Sequence, residues 1–133
     1  FGTDTQTGLN VFVMSFGFKY GLPRDADLVF DVRFLRNPYY EEALHRQTGL
    51  DPAVAKFIRQ DDGFDDFLTN LKALLSPLFP RYAAEGKSYL TIAVGCTGGR
   101  HRSVCVTEDL SAWIAQQGER VHLRHRDLEN RSK

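Results

Sequence analysis

The 133-residue chain has little sulfur: two cysteines and one methionine. Two thiols, Cys96 and Cys105, are too few for the disulfide framework of a small secreted domain. They are expected to be free, in a reducing, cytoplasmic setting. No CxxC pair and no close histidine spacing marks a metal site, so neither metal nor cofactor is expected. No apolar run approaches the ~20 residues that cross a bilayer, so no membrane partner is expected. The opening stretch has no basic region ahead of its apolar part, so it does not read as an export signal. It also has no initiator methionine, and the chain is expected to be a fragment of a longer protein.

Charge excess is missing too. Seventeen basic and 17 acidic residues give a formal net charge of zero. That argues against a strongly basic nucleic-acid binder as the default. The distribution is uneven, however. Residues 1–70 hold 7 Lys/Arg against 11 Asp/Glu, and residues 100–133 hold 7 against 5, with His101, His122 and His125 in addition. A polyanion would dock in the C-terminal third. There are no repeats and no low-complexity segments, and the length suits a single domain, residues 1–133.

Residues 9–18, LNVFVMSFGF, read as a buried strand because they are apolar, β-branched and aromatic. Residues 28–35, LVFDVRFL, read as a second strand, with Asp31 and Arg33 on one face and Val32 and Phe34 on the other. Asn37-Pro38 ends it. Residues 39–46 suit a short helix. Asp51-Pro52 suits a helix start, with Asp51 as the cap and Pro52 in the first turn.

The stripe Phe64, Phe67, Leu68, Leu71, Leu74, Leu75, Leu78 and Phe79 predicts one amphipathic helix over 64–85, kinked or split by Pro77 and Pro80. Residues 88–95 form the clearest strand, 103–117 a second long helix closed by Gly118, 120–123 a last short strand, and 124–133 a polar tail. This order predicts an α/β fold: a layered, mainly parallel sheet flanked by helices.

The segment between the third strand and the last helix, GCTGGRHRS over residues 95–103, carries the functional signal. A helix start has unpaired N–H groups and a partial positive charge. Gly98 and Gly99 let those donors converge on one anion. Arg100 and Arg102 add guanidinium groups that suit phosphate oxygens, and Thr97 and Ser103 add hydroxyls. His101 is read as another donor to the anion. The loop follows a buried strand, at the end of the sheet where α/β folds bind ligands.

The spacing Cys96-x-x-Gly99-x-x-Arg102-Ser103 also matches the cysteine phosphatase loop, in which a low-pKa thiolate attacks phosphorus. This makes a Cys96-dependent phosphoesterase the alternative. Gly95 stands where those enzymes usually have histidine, and Asp31 is the one candidate for a general acid. Cys96 as a small buried hydrophobe is the plainer reading, and Cys105 reads as structural.

The motifs GCTGGRHRSV, SFGFKYGLP, ADLVFDVRFLRNPYY and LRHRDLE, in this order and over nearly the whole chain, closely resemble the C-terminal domain of the RapZ/YvcJ family of RNase adapter proteins. The resemblance implies a fold similar to a phosphofructokinase subdomain. It also implies an N-terminal P-loop domain in the full protein and self-association as a homo-oligomer. By the same resemblance the domain senses glucosamine-6-phosphate and binds small regulatory RNA for an endoribonuclease, without being an enzyme itself.

Carried over by position, the ligand pocket is Asp31, Arg33, Cys96, Thr97, Gly98, Gly99 and Arg102. Arg100 and His101 join it from the loop. Tyr39 stands where some members have histidine after Asn-Pro, so no histidine contact carries over. Asp31 would pair with a sugar amine or hydroxyl, or else make only a local salt bridge with Arg33. The lysine-rich tail of RNA-binding members is reduced here to Glu129-Asn130-Arg131-Ser132-Lys133, and Glu119 replaces a basic residue, which implies weaker and less salt-sensitive RNA binding. Lys19, Arg120, Arg124, Arg126 and Arg131 would form a modest basic face, with Tyr20 and Tyr89 as stacking partners. A plain solvated surface is the other reading of these residues.

Overall fold

The structure, a computed structural model, describes residues 7–129. Strand β1 (Asn10–Gly17) alternates buried Val11 and Val13 with half-buried Phe12 and Met14. A 3-10 turn, Phe18–Tyr20, follows it. β2 (Leu28–Asp31) is short. A second 3-10 turn (Pro38–Tyr40) precedes α1 (Pro52–Arg59), α2 (Phe64–Leu75) and α3 (Leu78–Ala84). Then come β3 (Tyr89–Cys96), α4 (Arg102–Gln116) and β4 (Arg120–His125).

The four strands form one sheet in the order β2-β3-β1-β4, and every pairing is parallel. The expected α/β class, with a parallel sheet flanked by helices, is therefore the observed one. Val11, Val13, Leu90, Ile92 and Val94 join Val54, Ile58, Leu71, Leu75, Leu110 and Ile114 in a single core. On the opposite sheet face Phe12 stacks on His122 with ring centroids 4.6 Å apart and tilts against Tyr89 at 5.8 Å. Because all strands run the same way, their carboxyl ends Gly17, Asp31, Cys96 and His125 gather at one edge. No helix among the described residues is long and apolar enough to cross a membrane.

Several boundaries differ from the sequence expectation. β2 stops at Asp31, not at residue 35, because its partner β3 turns away after Cys96. Val32 still donates its amide to the Gly95 carbonyl at 2.9 Å. Past that point the chain coils, so Val32 is buried while Phe34 is 56% exposed and packs edge-on against Phe67. The split expected within 64–85 is seen, by contrast: two helices part where Pro77 brings no N–H, and Pro80 lies inside the second. Residues 39–46 make turns rather than a helix.

Asp51 does sit at the cap of α1 and Pro52 does open it. The Asp51 carboxylate, though, accepts the Thr48 amide at 2.8 Å instead of capping the helix. The last strand runs on to His125, which pairs in register with Ser15, so the segment after 123 is not simply a polar tail.

Candidate functional site

β3 delivers Cys96 and α4 begins at Arg102, so the five residues between them turn the chain from strand to helix. Close backbone approach makes the turn possible. A methyl group on Gly17 would lie 2.5 Å from the Gly98 carbonyl carbon, and one on Gly99 would lie 2.6 Å from the Gly17 nitrogen. Gly99 also holds φ at +77°, a conformation that side chains disfavour. Gly98 faces open space, with nothing within 4 Å of an added methyl. At Gly95 a side chain would strike the rings of Phe16 and Phe18 at 2.5 and 2.7 Å, so the histidine of the phosphatase loop has no room here.

The loop is fastened through its carbonyls. Lys19 donates its amide to the Thr97 oxygen at 3.2 Å, and Gly49 donates to the Arg100 oxygen at 2.8 Å. Its amides are left over: among the described residues nothing accepts from the N–H groups of Gly98, Gly99, Arg100 or Arg102. His101, at the N-cap of α4, supplies no side-chain cap. A 15-residue helix therefore starts with its positive end uncapped.

Arg102 lies at this helix start and is only 4% exposed. Its Nη1 donates to the carbonyls of Arg33 at 2.6 Å and Leu35 at 3.2 Å, and its Nη2 to Thr97 Oγ1 at 3.4 Å. Its Nε is buried without a partner. A buried cation served only by neutral oxygens, with one N–H unmade, is costly, and an anion beside it would relieve that cost.

A cavity of about 790 Å³ opens at this edge of the sheet. From the loop its walls are Cys96, Thr97, Gly98, Arg100, His101 and Arg102. The turn after β1 adds Lys19 and Tyr20, and the stretch after β2 adds Asn37, Tyr39, Tyr40, His45 and Arg46. Four of these are cations and none is a carboxylate. The field inside such a cavity favours an anion.

Two predicted ligand residues stand apart. Asp31 and Arg33 grip each other in a two-pronged ion pair, Nη2 to Oδ2 at 2.7 Å and Nε to Oδ1 at 3.0 Å. The Arg33 hydrogen bonds hold the Asp31 carboxyl below the usual carboxylate range. The Arg33 guanidinium also lies 3.9 Å from the centre of the Phe18 ring. Neither residue is among the cavity walls, and the local salt bridge is what the geometry presents. Gly99 is not a wall either; it acts through its backbone.

His101 does line the cavity, but the ring is also a strut. Its Nε2 donates to the carbonyl of Gln47 at 2.7 Å and reaches that of His45 at 3.2 Å, so this donor is already committed. Burial pushes its pKa down, and the hydrogen bond to Gln47 opposes the shift only in part. Cys96 is buried with its Sγ 3.2 Å from Ser103 Oγ. Burial raises the Cys105 thiol to about 12, as befits a structural residue.

The expected basic face is dispersed. Lys19 is a wall of the cavity, as is Tyr20. Arg120 and Arg124 are exposed on β4, with Tyr89 on the same sheet face. Arg126 turns inward to Asp127 at 2.8 Å and to the Gly21 carbonyl at 2.7 Å, so its charge is matched. Arg131 lies outside the described residues. Glu119 is 9% exposed and accepts from Thr7 Oγ1 at 2.8 Å, so it tethers the segment before β1.

Asn37, Tyr40, His45 and Arg46 were not singled out from sequence, because nothing in a turn-rich stretch tells which side chains face a neighbouring loop. Asp127 was missed as well. It is 3% exposed and accepts the Gly17 amide at 2.8 Å. The one sequence hint was its place in the RHRDLE motif.

A family model for the RapZ C-terminal domain matches residues 9–129. The chain belongs to this family. Among curated relatives, a nucleotide-binding protein of Paramagnetospirillum magneticum is 58% identical over 131 residues, which cover 98% of this chain and 43% of that protein. One from Rhodospirillum rubrum is 59% identical over 128 residues, covering 96% and 40%. One from Caldicellulosiruptor bescii is 53% identical over 125 residues, covering 94% and 43%. The chain thus spans about two fifths of the length of these relatives, and it corresponds to the RapZ C-terminal part.

Proposed function

We propose that this RapZ-family domain is a binding module whose loop 97–102 holds the phosphate of a small phosphorylated metabolite, with glucosamine-6-phosphate as the first candidate. One observation carries the reading: Arg102 is buried in the wall of a cavity with no carboxylate among its described lining residues, its Nε lacks a partner, and the helix it opens is uncapped. Unpaired amides, a helix dipole and a guanidinium with a spare donor are complementary to a dianionic phosphate. The sugar would face the side chains that follow β2, including Asn37 and Tyr39. In the longer protein, occupancy of this site would be the signal passed on to an RNA or protein partner, with exposed Arg120 and Arg124 as the RNA contacts. The relatives are named nucleotide-binding proteins, and a nucleotide belongs in the same ligand panel.

Titration calorimetry with inorganic phosphate, glucosamine-6-phosphate, glucosamine and a nucleoside monophosphate tests the reading. Saturable heat from the phosphorylated compounds, and none from glucosamine, is expected. A folded protein that gives no heat with any of them rules the site out.

A second reading is favoured by the contact of Cys96 Sγ, whose residue lines the same cavity, with Ser103 Oγ. It is phosphoester cleavage with Cys96 as nucleophile. Among the described residues the cavity wall offers no carboxylate to protonate a leaving group, so the binding module is preferred. Turnover of p-nitrophenyl phosphate that disappears in Cys96→Ser would reverse the preference.

A further inference from the structure

The segment after β4 folds back against the anion loop. Arg126 donates its amide to the Ser15 carbonyl at 3.0 Å, and Asp127 takes the Gly17 amide at 2.8 Å. A methyl on Gly99 would lie 3.1 Å from Asp127 Cβ, so loop and segment are in direct contact. The next residue completes the attachment: the Leu128 carbonyl accepts from Arg100 Nη1 at 2.6 Å. Arg100 Nη2 reaches the Arg46 carbonyl at 3.4 Å. Arg100 is at the same time a wall of the cavity.

One guanidinium therefore stands between the cavity and the C-terminal segment. Arg102 keeps a spare N–H in the form of its Nε. Arg100 has both terminal nitrogens engaged, each on a neutral carbonyl. A phosphate dianion is the stronger acceptor for a charged donor and matches the guanidinium fork. An anion seated on the loop thus competes with Leu128 for Arg100. The Asp127 carboxylate does not settle the contest by repulsion, because Arg126 pairs with it at 2.8 Å.

We infer that anion occupancy and docking of the segment after β4 are coupled through Arg100: an anion that takes its guanidinium frees Leu128 and Glu129. The inference rests on the anion site proposed above and adds its regulation. Coupling of this kind is reciprocal. A docked segment weakens anion binding, and a partner that holds the segment away strengthens it.

Backbone ¹⁵N relaxation on this chain, with and without inorganic phosphate, tests the coupling. On adding phosphate, the order parameters of Leu128 and Glu129 are expected to fall from about 0.85, the rigid range, to below about 0.6. In Arg100→Ala they are expected to be low from the start and to stay unchanged by phosphate. Arg100→Lys, which keeps the charge but loses the fork, serves as a second variant and should behave like Arg100→Ala at Leu128. If phosphate binds by calorimetry while Leu128 and Glu129 keep their order, the coupling is overturned and the anion site stands. The coupling is equally overturned if both variants leave Leu128 ordered. Absence of any phosphate heat overturns the anion site and the coupling together.

Discussion

Arg102 donates to the backbone carbonyl of Arg33 at 2.6 Å, which ties the first residue of α4 to the turn after β2. The same guanidinium reaches Leu35 and Thr97. It therefore joins the stretch after β2 to the loop after β3 at the carboxyl edge of the sheet, while its Nε stays unused.

Replacing Arg102 with alanine should act twice. Phosphate affinity should fall about ten-fold or more, since hydrogen bonds to charged groups contribute roughly 1.5–3 kcal/mol. Stability should fall too, because the carbonyls of Arg33 and Leu35 lose their donor. Calorimetry and urea midpoints read the two effects separately. Unchanged affinity in a folded Arg102→Ala variant would remove this residue from the site.

Glycine substitutions should separate the loop's frame from its open side. Gly17→Ala puts a methyl 2.5 Å from the Gly98 carbonyl carbon, and Gly99→Ala adds a disfavoured φ of +77° to a similar clash. Each should cost roughly 1–3 kcal/mol, the usual range for overpacking. Gly98→Ala meets nothing within 4 Å and should leave the urea midpoint nearly unchanged. Equal losses at all three positions would contradict the backbone contact described here.

Acid should destabilise the domain through His101. Its folded pKa is depressed below 6.5, chiefly by burial, so the folded state resists protonation. The stability this residue contributes is full above 6.5 and is lost as pH falls through the depressed folded value. Urea midpoints should be lower at about pH 5 than at about pH 7.5. His101→Gln, which keeps an N–H for the Gln47 carbonyl, should narrow the difference. A wild-type midpoint that is flat over this range would contradict the assignment.

The Asp31–Arg33 pair separates two roles. It is nearly half exposed, with side chains at 45% and 48%, so Asp31→Asn should change stability by less than about 1 kcal/mol. Phosphate affinity should also be unchanged, since neither residue lines the cavity. A weaker response to glucosamine-6-phosphate than to phosphate in this variant would instead place Asp31 at the sugar amine. Calorimetry with both ligands distinguishes the outcomes.

What the sequence made legible follows from local rules. The run SYLTIAVG marks β3 because it is apolar and β-branched. The Gly-Gly turn before VCVTEDLSAWIA marks the loop and α4, because glycine and a helix start are both local signals. Non-local facts were not legible. β2 ends at Asp31 because its neighbour leaves the sheet, and no feature of FDVRFL announces that. Arg46 and His45 face the loop only because Gly49 and His101 pin residues 45–49 against it. Asp127 looks like tail in the sequence, yet its carboxylate takes the amide at the end of β1, 110 positions earlier.

The central claim is that the amides of loop 97–102 and the Arg102 guanidinium converge on one anion. Amide NMR during a phosphate titration reads those groups one by one. Saturable shifts concentrated at Gly98, Gly99, Arg100 and Arg102, together with a shifted Arg102 Nε–H, are the expected result. Shifts scattered over the surface, or none at these positions while the protein stays folded, would contradict the account.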